Sequence, residues 1–237
     1  MRNLYNLPKK VEFCSKCVYS NQLPSSIPEY LHKPSREGAK YINFRKNLKG
    51  ENICSACDVA ELKKNINWKK REKELLKLLN KHRRKNGEYD CVVPGSGGKD
   101  SVYASHILKY KYGMNPLTVT WPPILYTDYG YENYKNWIEI GGFDNITFKQ
   151  NGHVIKLLTR LSIENLLHPF QSFILGQKNI GAKIAAKYKI PLVFYGESDA
   201  EYNNPISELS STRDHKYWLS NKSDKYYLAG LPISELI

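Results

Sequence analysis

The stretch from Pro94 to Ser101, which reads PGSGGKDS, constrains this chain more than any other part of its sequence. An apolar run, 89–93, precedes it, and a run with helical character, 102–112, follows it. This order predicts a strand, a glycine-rich turn and a helix. Glycines let backbone N–H groups converge in a tight turn, and the helix adds the positive end of its dipole. The stretch therefore predicts an anion site of the kind that phosphate groups occupy.

The side chains of this turn suit the same chemistry. Lys99 supplies a cation, Ser96 and Ser101 supply hydroxyl donors, and Asp100 can hold a divalent metal or orient the loop. The pattern is not a Walker A motif, because only three residues separate Gly95 from Lys99 and because Asp100 stands where that motif has Ser or Thr. The alternative is an ordinary glycine turn between a strand and a helix.

Strands and helices alternate through the rest of the chain. Alternation at this spacing predicts βαβ units, so we expect an α/β fold with a mainly parallel sheet and helices on both faces. The predicted strands are 89–93, 116–121, 145–148 and 191–195, and the predicted further helices are 131–140, 154–167 and 173–188.

Ligands of such sheets bind beyond the carboxyl ends of the strands. Three turns meet at that edge: the glycine-rich loop, the turn after Thr120, and the turn that contains Glu197. We assign Thr120 to the nucleotide site and Glu197 to metal or substrate contact, with Asp199 and Glu201 as substitutes. An incidental carboxylate at the start of a helix is an equal alternative for Glu197.

Four of the five cysteines form two Cys-x-x-Cys pairs, Cys14/Cys17 and Cys54/Cys57. Two such pairs suit tetrahedral Zn²⁺, and a structural zinc would stabilise a segment that has little core of its own. An iron–sulfur cluster, a redox dithiol and a site without a ligand are the alternatives. We expect Cys91, in the strand before the loop, to be a buried and inert thiol.

The net charge of +13 raises the question of a nucleic-acid partner. Much of the charge is local, since residues 61–88 contain eleven Lys or Arg and four Glu. Trp68, Leu75, Leu78, Leu79 and His82 fall near one face of a predicted basic amphipathic helix, 61–86. We favour a solvated helix over a nucleic-acid surface.

No apolar run reaches the ~20 residues of a membrane span, and the N-terminus lacks an apolar signal core, so we expect a cytoplasmic protein.

Ser96 to Ser101 resembles the pyrophosphate loop (PP-loop) of the N-type ATP pyrophosphatases. Further blocks of the sequence are LYTD at 125–128, GGFDN at 141–145, LTRL at 158–161, ENLLHPFQ at 164–171, GQKN at 176–179 and FYGE at 194–197. These blocks resemble the N-acetyl sugar amidotransferases, and the resemblance runs across nearly the whole chain, including the cysteine pairs ahead of the loop.

The resemblance implies an ATP-dependent synthetase subunit of lipopolysaccharide O-antigen or related surface-glycan biosynthesis. It would adenylate the acetamido group of an N-acetylated, nucleotide-linked sugar, with Mg²⁺ and with ammonia from a separate class I glutaminase subunit, and form an acetamidino group. It assigns catalysis to Lys99 and Asp100. The assigned pyrophosphate contacts are Ser96, Gly97, Gly98, Lys99, Asp100 and Ser101, and the substrate or Mg²⁺ candidates are Glu197, His168, Gln171 and Lys178.

The other interpretations of these candidates are structural. His168 lies near the C-terminus of a helix that Pro169 ends, and Lys178 is equally well explained as a solvent-facing lysine.

We divide the chain into a four-cysteine metal-binding segment, 1–60, the basic helix, 61–86, and the ATP pyrophosphatase domain, 87–237. Members of the family generally continue further, so we expect a C-terminally truncated form. The alternative functions are a tRNA-modifying PP-loop enzyme of the thiolation type and a non-catalytic partner of a glutaminase.

Overall fold

The computed structural model describes residues 7–23, 29–34, 41, 44–197 and 226–236. These residues form two compact units. The first unit contains the described residues between 7 and 68 except 29–32, and the second contains 29–32, 69–197 and 226–236.

The first unit is built around its cysteines. Its core cluster consists of buried Cys14 and Cys54, and Tyr19 and Phe44 are among the residues packed against it. So small an apolar cluster contributes little folding free energy, which is the condition under which small modules depend on a metal or on disulfides. The regular elements of this unit are the antiparallel strands β1 (Arg45–Lys46) and β2 (Asn52–Ile53) and the helix α1 (Ser55–Lys64).

The second unit contains a four-stranded sheet in the order β5-β4-β3-β6, and every neighbouring pair is parallel. Cys91 lies opposite Pro116 on one side and Leu192 on the other. The fold-class prediction of an α/β protein with a parallel sheet and a four-cysteine cluster near the N-terminus is therefore confirmed. The strands are β3 (Cys91–Pro94), β4 (Pro116–Thr120), β5 (Asn145–Thr147) and β6 (Leu192–Val193).

Successive residues of β3 point to opposite faces of the sheet, and both faces are covered. Val92 packs in a core with Ile180 and Ala185. Cys91 and Val93 pack in another core with Leu79, Leu108 and Met114. A central strand of a parallel sheet is buried on both sides, which explains why β3 is a continuous apolar run. Helices cover both faces, as the sequence predicted.

The helices follow the predicted order with shifted ends. The basic run holds parts of two helices, because α1 ends at Lys64 and the next helix begins at Trp68. Of its predicted apolar face, Leu79 is fully buried and Leu75 packs against the core, whereas Trp68 is exposed. The helices of this unit are α2 (Trp68–His82), α3 (Lys99–His106), continued by one π-helical turn (Ile107–Lys111), α4 (Asp128–Glu139), α5 (Gly152–Leu166) and α6 (Gln171–Lys187).

A small hairpin completes the described part of this unit. Its strands are β7 (Tyr227–Leu228) and β8 (Leu231–Pro232), and 3-10 turns occur at Glu29–Leu31 and Ile233–Glu235. Among the described residues, none of the helices combines the length and the apolar character that a bilayer crossing requires.

The strand order reverses beside β3. The chain passes from β3 to β4 and β5 on one side, and then returns to place β6 on the other side of β3. In open parallel sheets, the crevice outside the carboxyl ends at such a reversal is where ligands bind. The turns after β3 and β6 flank this crevice, and they contain the glycine-rich loop and Gly196-Glu197.

Candidate functional site

The glycine-rich loop is held tightly between two helices. The Gly95 N–H donates to the Val119 carbonyl oxygen (2.9 Å), which extends the β3–β4 ladder into the loop. A Cβ on Gly95 would lie 2.3 Å from the Cβ of Ser101 in α3. Gly97 has a φ of +86°, and a Cβ there would lie 2.5 Å from the Cα of Tyr134 in α4. Packing alone therefore requires glycine at these two positions.

Gly98 differs from these two glycines. It caps α3 with extended backbone angles, φ −71° and ψ 156°, which any residue can adopt. Among the described residues, no heavy atom lies within 4 Å of a Cβ placed on Gly98. The fold gives no reason for glycine here, whereas close approach of a ligand to the backbone would give one.

The first turn of α3 provides the donors. The Val102 N–H donates to the Gly98 carbonyl oxygen (3.0 Å), which begins the hydrogen-bond ladder of α3. In any α-helix the N–H groups of the first turn have no acceptor within the helix itself. The hydroxyl of Ser101 also donates to the Gly98 carbonyl oxygen (3.0 Å), which fixes the loop to the helix. A helix N-terminus that follows a glycine-rich turn is suited to bind phosphate.

Lys99 and Asp100 pair with each other at the mouth of this turn. The Lys99 Nζ lies 2.8 Å from an Asp100 carboxylate oxygen, and the side chains are 87% and 38% exposed. An exposed pair of this kind contributes little free energy. A polyphosphate and its counter-ion can therefore replace the contact at small cost, with the lysine moving to the phosphate and the carboxylate to the cation.

Gly196 brings the end of β6 against the same turn. A Cβ on Gly196 would lie 2.4 Å from the carbonyl oxygen of Asp100. Glu197 follows directly and is exposed. The structure thus places Asp100 and the residue preceding Glu197 in contact across the crevice. Asp100 and Glu197 give these two turns carboxylate oxygens, which are ligands of the type that Mg²⁺ prefers. Asp199 and Glu201 lie outside the described residues.

Thr120 lies at the carboxyl end of β4, fully buried, in a polar network that sequence reasoning missed. Asn145 donates from its side-chain amide to the hydroxyls of Thr118 (2.9 Å) and Thr120 (3.0 Å). The Tyr134 hydroxyl bonds with the Thr147 hydroxyl (2.6 Å) and donates to the Asn145 side-chain oxygen (3.2 Å). The network orients Tyr134 beside Gly97. Polar residues at alternate positions of adjacent predicted strands were its signal in the sequence.

The candidates on and before α6 contact other parts of the second unit. Gln171 is fully buried and donates to the carbonyl oxygens of Glu29 (2.7 Å) and Tyr227 (3.1 Å), while its oxygen accepts from the Ala229 N–H (2.5 Å). Lys178 forms an ion pair with Glu29 (3.1 Å). These contacts favour structural roles for both side chains, which tie the 29–31 turn and the C-terminal hairpin to α6.

His168 follows the left-handed residue Leu167, whose φ of 53° ends α5. Its ring lies near those of His32 (centroids 6.3 Å apart) and Phe170 (5.9 Å). The Phe170 N–H donates to its Nδ1 (3.4 Å). The helix end therefore positions His168 among aromatic neighbours, in agreement with the local structural interpretation of this residue.

In the first unit, the four predicted cysteines come together. Their Sγ atoms all lie within 4.8 Å of one another, with Cys14–Cys57 at 3.8 Å and Cys17–Cys54 at 3.5 Å. Sulfur atoms on a tetrahedron with Zn–S bonds of about 2.3 Å are about 3.8 Å apart. The cluster can therefore bind a metal such as zinc. Cys91 is buried elsewhere in the sheet, as predicted.

The local backbone supports thiolate ligands. Burial raises the pKa of the Cys14 thiol, but backbone hydrogen bonds from Cys54, Lys16 and Cys17 outweigh it and bring the pKa to about 6. Burial raises the pKa of Cys57, whose sulfur lies among the other three. Burial also raises the pKa of Cys54, although this residue is the N-cap of α1, where the helix dipole favours negative charge. A divalent cation that binds the four sulfur atoms would displace the protons that remain on the thiols.

No protein-family model matches the chain. A segment of the chain is similar to an uncharacterized protein of Methanocaldococcus jannaschii, with 41% identity over 73 residues. These residues are 31% of this chain and 26% of the archaeal protein. Because the match covers about a quarter of that relative, it shows a shared segment and establishes neither a family nor an activity.

Proposed function

We propose that this chain is the ATP-dependent synthetase subunit of a sugar amidotransferase, which adenylates the acetamido group of an N-acetylated, nucleotide-linked sugar. The observation that carries the proposal is the loop at the reversal of strand order, with Gly98 left open to a ligand at the start of α3. This geometry supports pyrophosphate binding. The choice of a sugar as acceptor rests on the sequence blocks that resemble the N-acetyl sugar amidotransferases.

In the proposed reaction, the acetamido carbonyl oxygen attacks the α-phosphorus of ATP, and the bond between the α-phosphorus and the bridging oxygen breaks. Pyrophosphate leaves with that bridging oxygen. Backbone N–H groups of the loop and the first turn of α3, together with Lys99, stabilise the developing negative charge. Because these donors are fixed by the close contacts of Gly95 and Gly97, they need little reorganisation as the charge forms.

Ammonia then attacks the carbon of the adenylated imidate. AMP leaves, and an acetamidino group replaces the acetamido group. Asp100 and Glu197 would hold Mg²⁺, which neutralises phosphate charge when it is bound. A separate class I glutaminase supplies the ammonia, and the cysteine cluster with bound zinc stabilises the first unit. We place this reaction in the cytoplasm, where thiols stay reduced.

The test is AMP production from ATP and ammonium, with Mg²⁺ and a panel of N-acetylated nucleotide sugars. Lys99→Ala and Asp100→Ala are expected to suppress AMP release, and unchanged activity in both variants would refute the site. Gly98→Ala is a sharper probe, since it should leave folding nearly intact and weaken ATP binding. Lys69→Ala, on the exposed face of α2, is the matched lysine control.

The same assay separates the alternative functions. AMP release that depends on tRNA instead of a sugar would contradict the acceptor and favour a thiolation-type enzyme. ATP binding without turnover, in the presence of an active glutaminase and the full sugar panel, would favour a non-catalytic partner. The mutual proximity of the cysteines in the two Cys-x-x-Cys pairs argues against the thiolation chemistry, because sulfur atoms that bind a shared metal are not available as nucleophiles.

A further inference from the structure

Three tyrosines form a cluster next to the glycine-rich loop. The ring centroids of Tyr126 and Tyr131 are 5.7 Å apart, those of Tyr126 and Tyr134 are 5.9 Å apart, and those of Tyr131 and Tyr134 are 6.3 Å apart. The three rings thus contact one another pairwise at separations typical of aromatic pairs. We refer to these three residues as the tyrosine cluster.

The cluster is attached rigidly to the proposed reaction site. The backbone of Tyr134 packs on Gly97, and its hydroxyl bonds with the Thr147 hydroxyl (2.6 Å). The Thr127 hydroxyl accepts from the Gly130 N–H (3.0 Å) and caps α4 between Tyr126 and Tyr131. The helix cap fixes the backbone that carries the rings, and the side-chain network fixes the Tyr134 ring, so the cost of ordering the cluster around a ligand is reduced.

The cluster also presents a surface. Tyr131 is 56% exposed, and Tyr126 and Tyr134 are partly buried beside it. Burial, with smaller contributions from Tyr134 and Tyr131, raises the pKa of the Tyr126 hydroxyl. Tyr126 therefore stays protonated at neutral pH and offers a neutral donor. Each tyrosine combines an apolar ring with a polar edge.

The angles between the rings are unfavourable for one class of ligand. The interplanar angles in the cluster are 76°, 40° and 36°, so no two rings form the parallel slot in which a flat purine is sandwiched. A sugar ring instead packs its C–H face on one aromatic face and exchanges hydrogen bonds with polar groups at the rim. The backbone of Tyr134 contacts Gly97 and so joins the cluster to the loop that holds the phosphates in the proposed reaction.

We propose that the tyrosine cluster is the platform for the sugar ring of the N-acetylated acceptor, with Tyr131 offering the exposed face. This proposal rests on the adenylation function proposed above and names the residues that select its substrate. Tyr131 is then a substrate-binding residue, and Tyr134 is a positioning residue that links the platform to the loop.

The test measures two affinities separately by isothermal titration calorimetry. One is for a non-hydrolysable ATP analogue, and the other is for UDP-N-acetylglucosamine and a UDP-linked 2,4-diacetamido sugar in its presence. Tyr131→Ala is expected to weaken the better sugar probe about tenfold, which is about 1.4 kcal/mol. Tyr131→Phe should stay within about twofold, because the ring remains. Tyr129→Ala is the matched control, since Tyr129 is 80% exposed on the same helix.

The outcomes separate this proposal from the proposed function. Sugar affinities that are equal in Tyr131→Ala and Tyr129→Ala would overturn the platform. Tenfold weaker binding of the ATP analogue in Tyr131→Ala would also overturn it, because the cluster would then serve the nucleotide. A wild-type chain that binds the analogue but none of the sugars refutes the platform and leaves ATP binding standing. Loss of analogue binding in the wild type would refute both proposals.

Discussion

Two adjacent glycines of the loop should differ sharply in how much stability the same substitution removes. Gly97→Ala is expected to destabilise the second unit strongly, and Gly98→Ala is expected to leave its stability nearly unchanged. The pair is well matched because both variants add one methyl group, one residue apart. The contrast tests whether the loop is held against α4 by its backbone, as the structure places it.

Two observations on Gly97 give the size of the stability loss that we expect for Gly97→Ala. Its φ of +86° is unfavourable for alanine, which costs about 1–2 kcal/mol. The new Cβ would also meet the Tyr134 Cα at 2.5 Å and the Tyr134 N at 2.7 Å, and no rotamer change can relieve a clash with backbone. Overpacking of this kind costs about 1–3 kcal/mol more. The sum is about 2–5 kcal/mol, against about 1 kcal/mol or less for the cap at Gly98.

Differential scanning calorimetry measures the difference directly. For a chain of this size, each kcal/mol lowers Tm by about 2–4 °C. Gly97→Ala should therefore unfold well below Gly98→Ala and the parent chain. Equal Tm values for the two variants would show that the backbone of α4 does not pack closely against Gly97. Titration of the same samples with ATP adds the functional contrast, since Gly98→Ala should keep the fold and lose affinity.

Three further predictions concern other parts of the chain. Burial raises the pKa of Cys91 to about 12, so its thiol should not react at pH 8. Alkylation in the presence of a chelator should therefore modify four cysteines, counted by mass spectrometry, and Cys91→Ala should not change that number. The hydrogen bond from Lys111, with a second from Tyr112, lowers the pKa of Glu72. Its stabilising contribution is present above the unfolded-state pKa and is lost as the pH falls through the lowered value. Glu72→Gln should thus reduce Tm at pH 7 and have no effect at a pH below that value. Gln171→Ala removes three hydrogen bonds made by a fully buried side chain, and the buried Ala229 N–H loses this acceptor. Urea unfolding should therefore show a loss of about 1–3 kcal/mol, larger than for Gln177→Ala, with ATP affinity unchanged. Weaker ATP binding by folded Gln171→Ala would instead place this residue in the site.

The sequence predicted well those structural features that depend on interactions between residues close together in the chain. The apolar run before the loop predicted a buried strand, and β3 lies at 91–94 within that neighbourhood. The glycines and the following helical pattern predicted the loop and α3, since backbone freedom and periodicity act over a few residues. The two Cys-x-x-Cys pairs predicted a four-sulfur cluster, because tetrahedral ligation needs two such turns to meet.

Other features depended on contacts between distant residues. The ENLLHPFQ and GQKN blocks pointed to substrate contacts at Gln171 and Lys178. In the structure, Gln171 bonds to backbone groups 142 and 56 residues away, and Lys178 pairs with a carboxylate 149 residues away. No local pattern shows such partners. The joining of Asn145, Tyr134 and Thr147 into one network was likewise invisible until β4, β5 and α4 were packed together.

The sequence by itself determined the strand–loop–helix unit, the alternation that gives a parallel sheet, and the pairing of the cysteines. These follow from periodicity, glycine content and ligand spacing, which operate within one element or one turn. Only the tertiary structure showed which glycines are required by packing and which one has space for a side chain, because this depends on the atoms that surround each glycine. It also placed the tyrosines of α4 beside the loop, since their distance from Gly97 is set by how α4 packs and not by the chain between them.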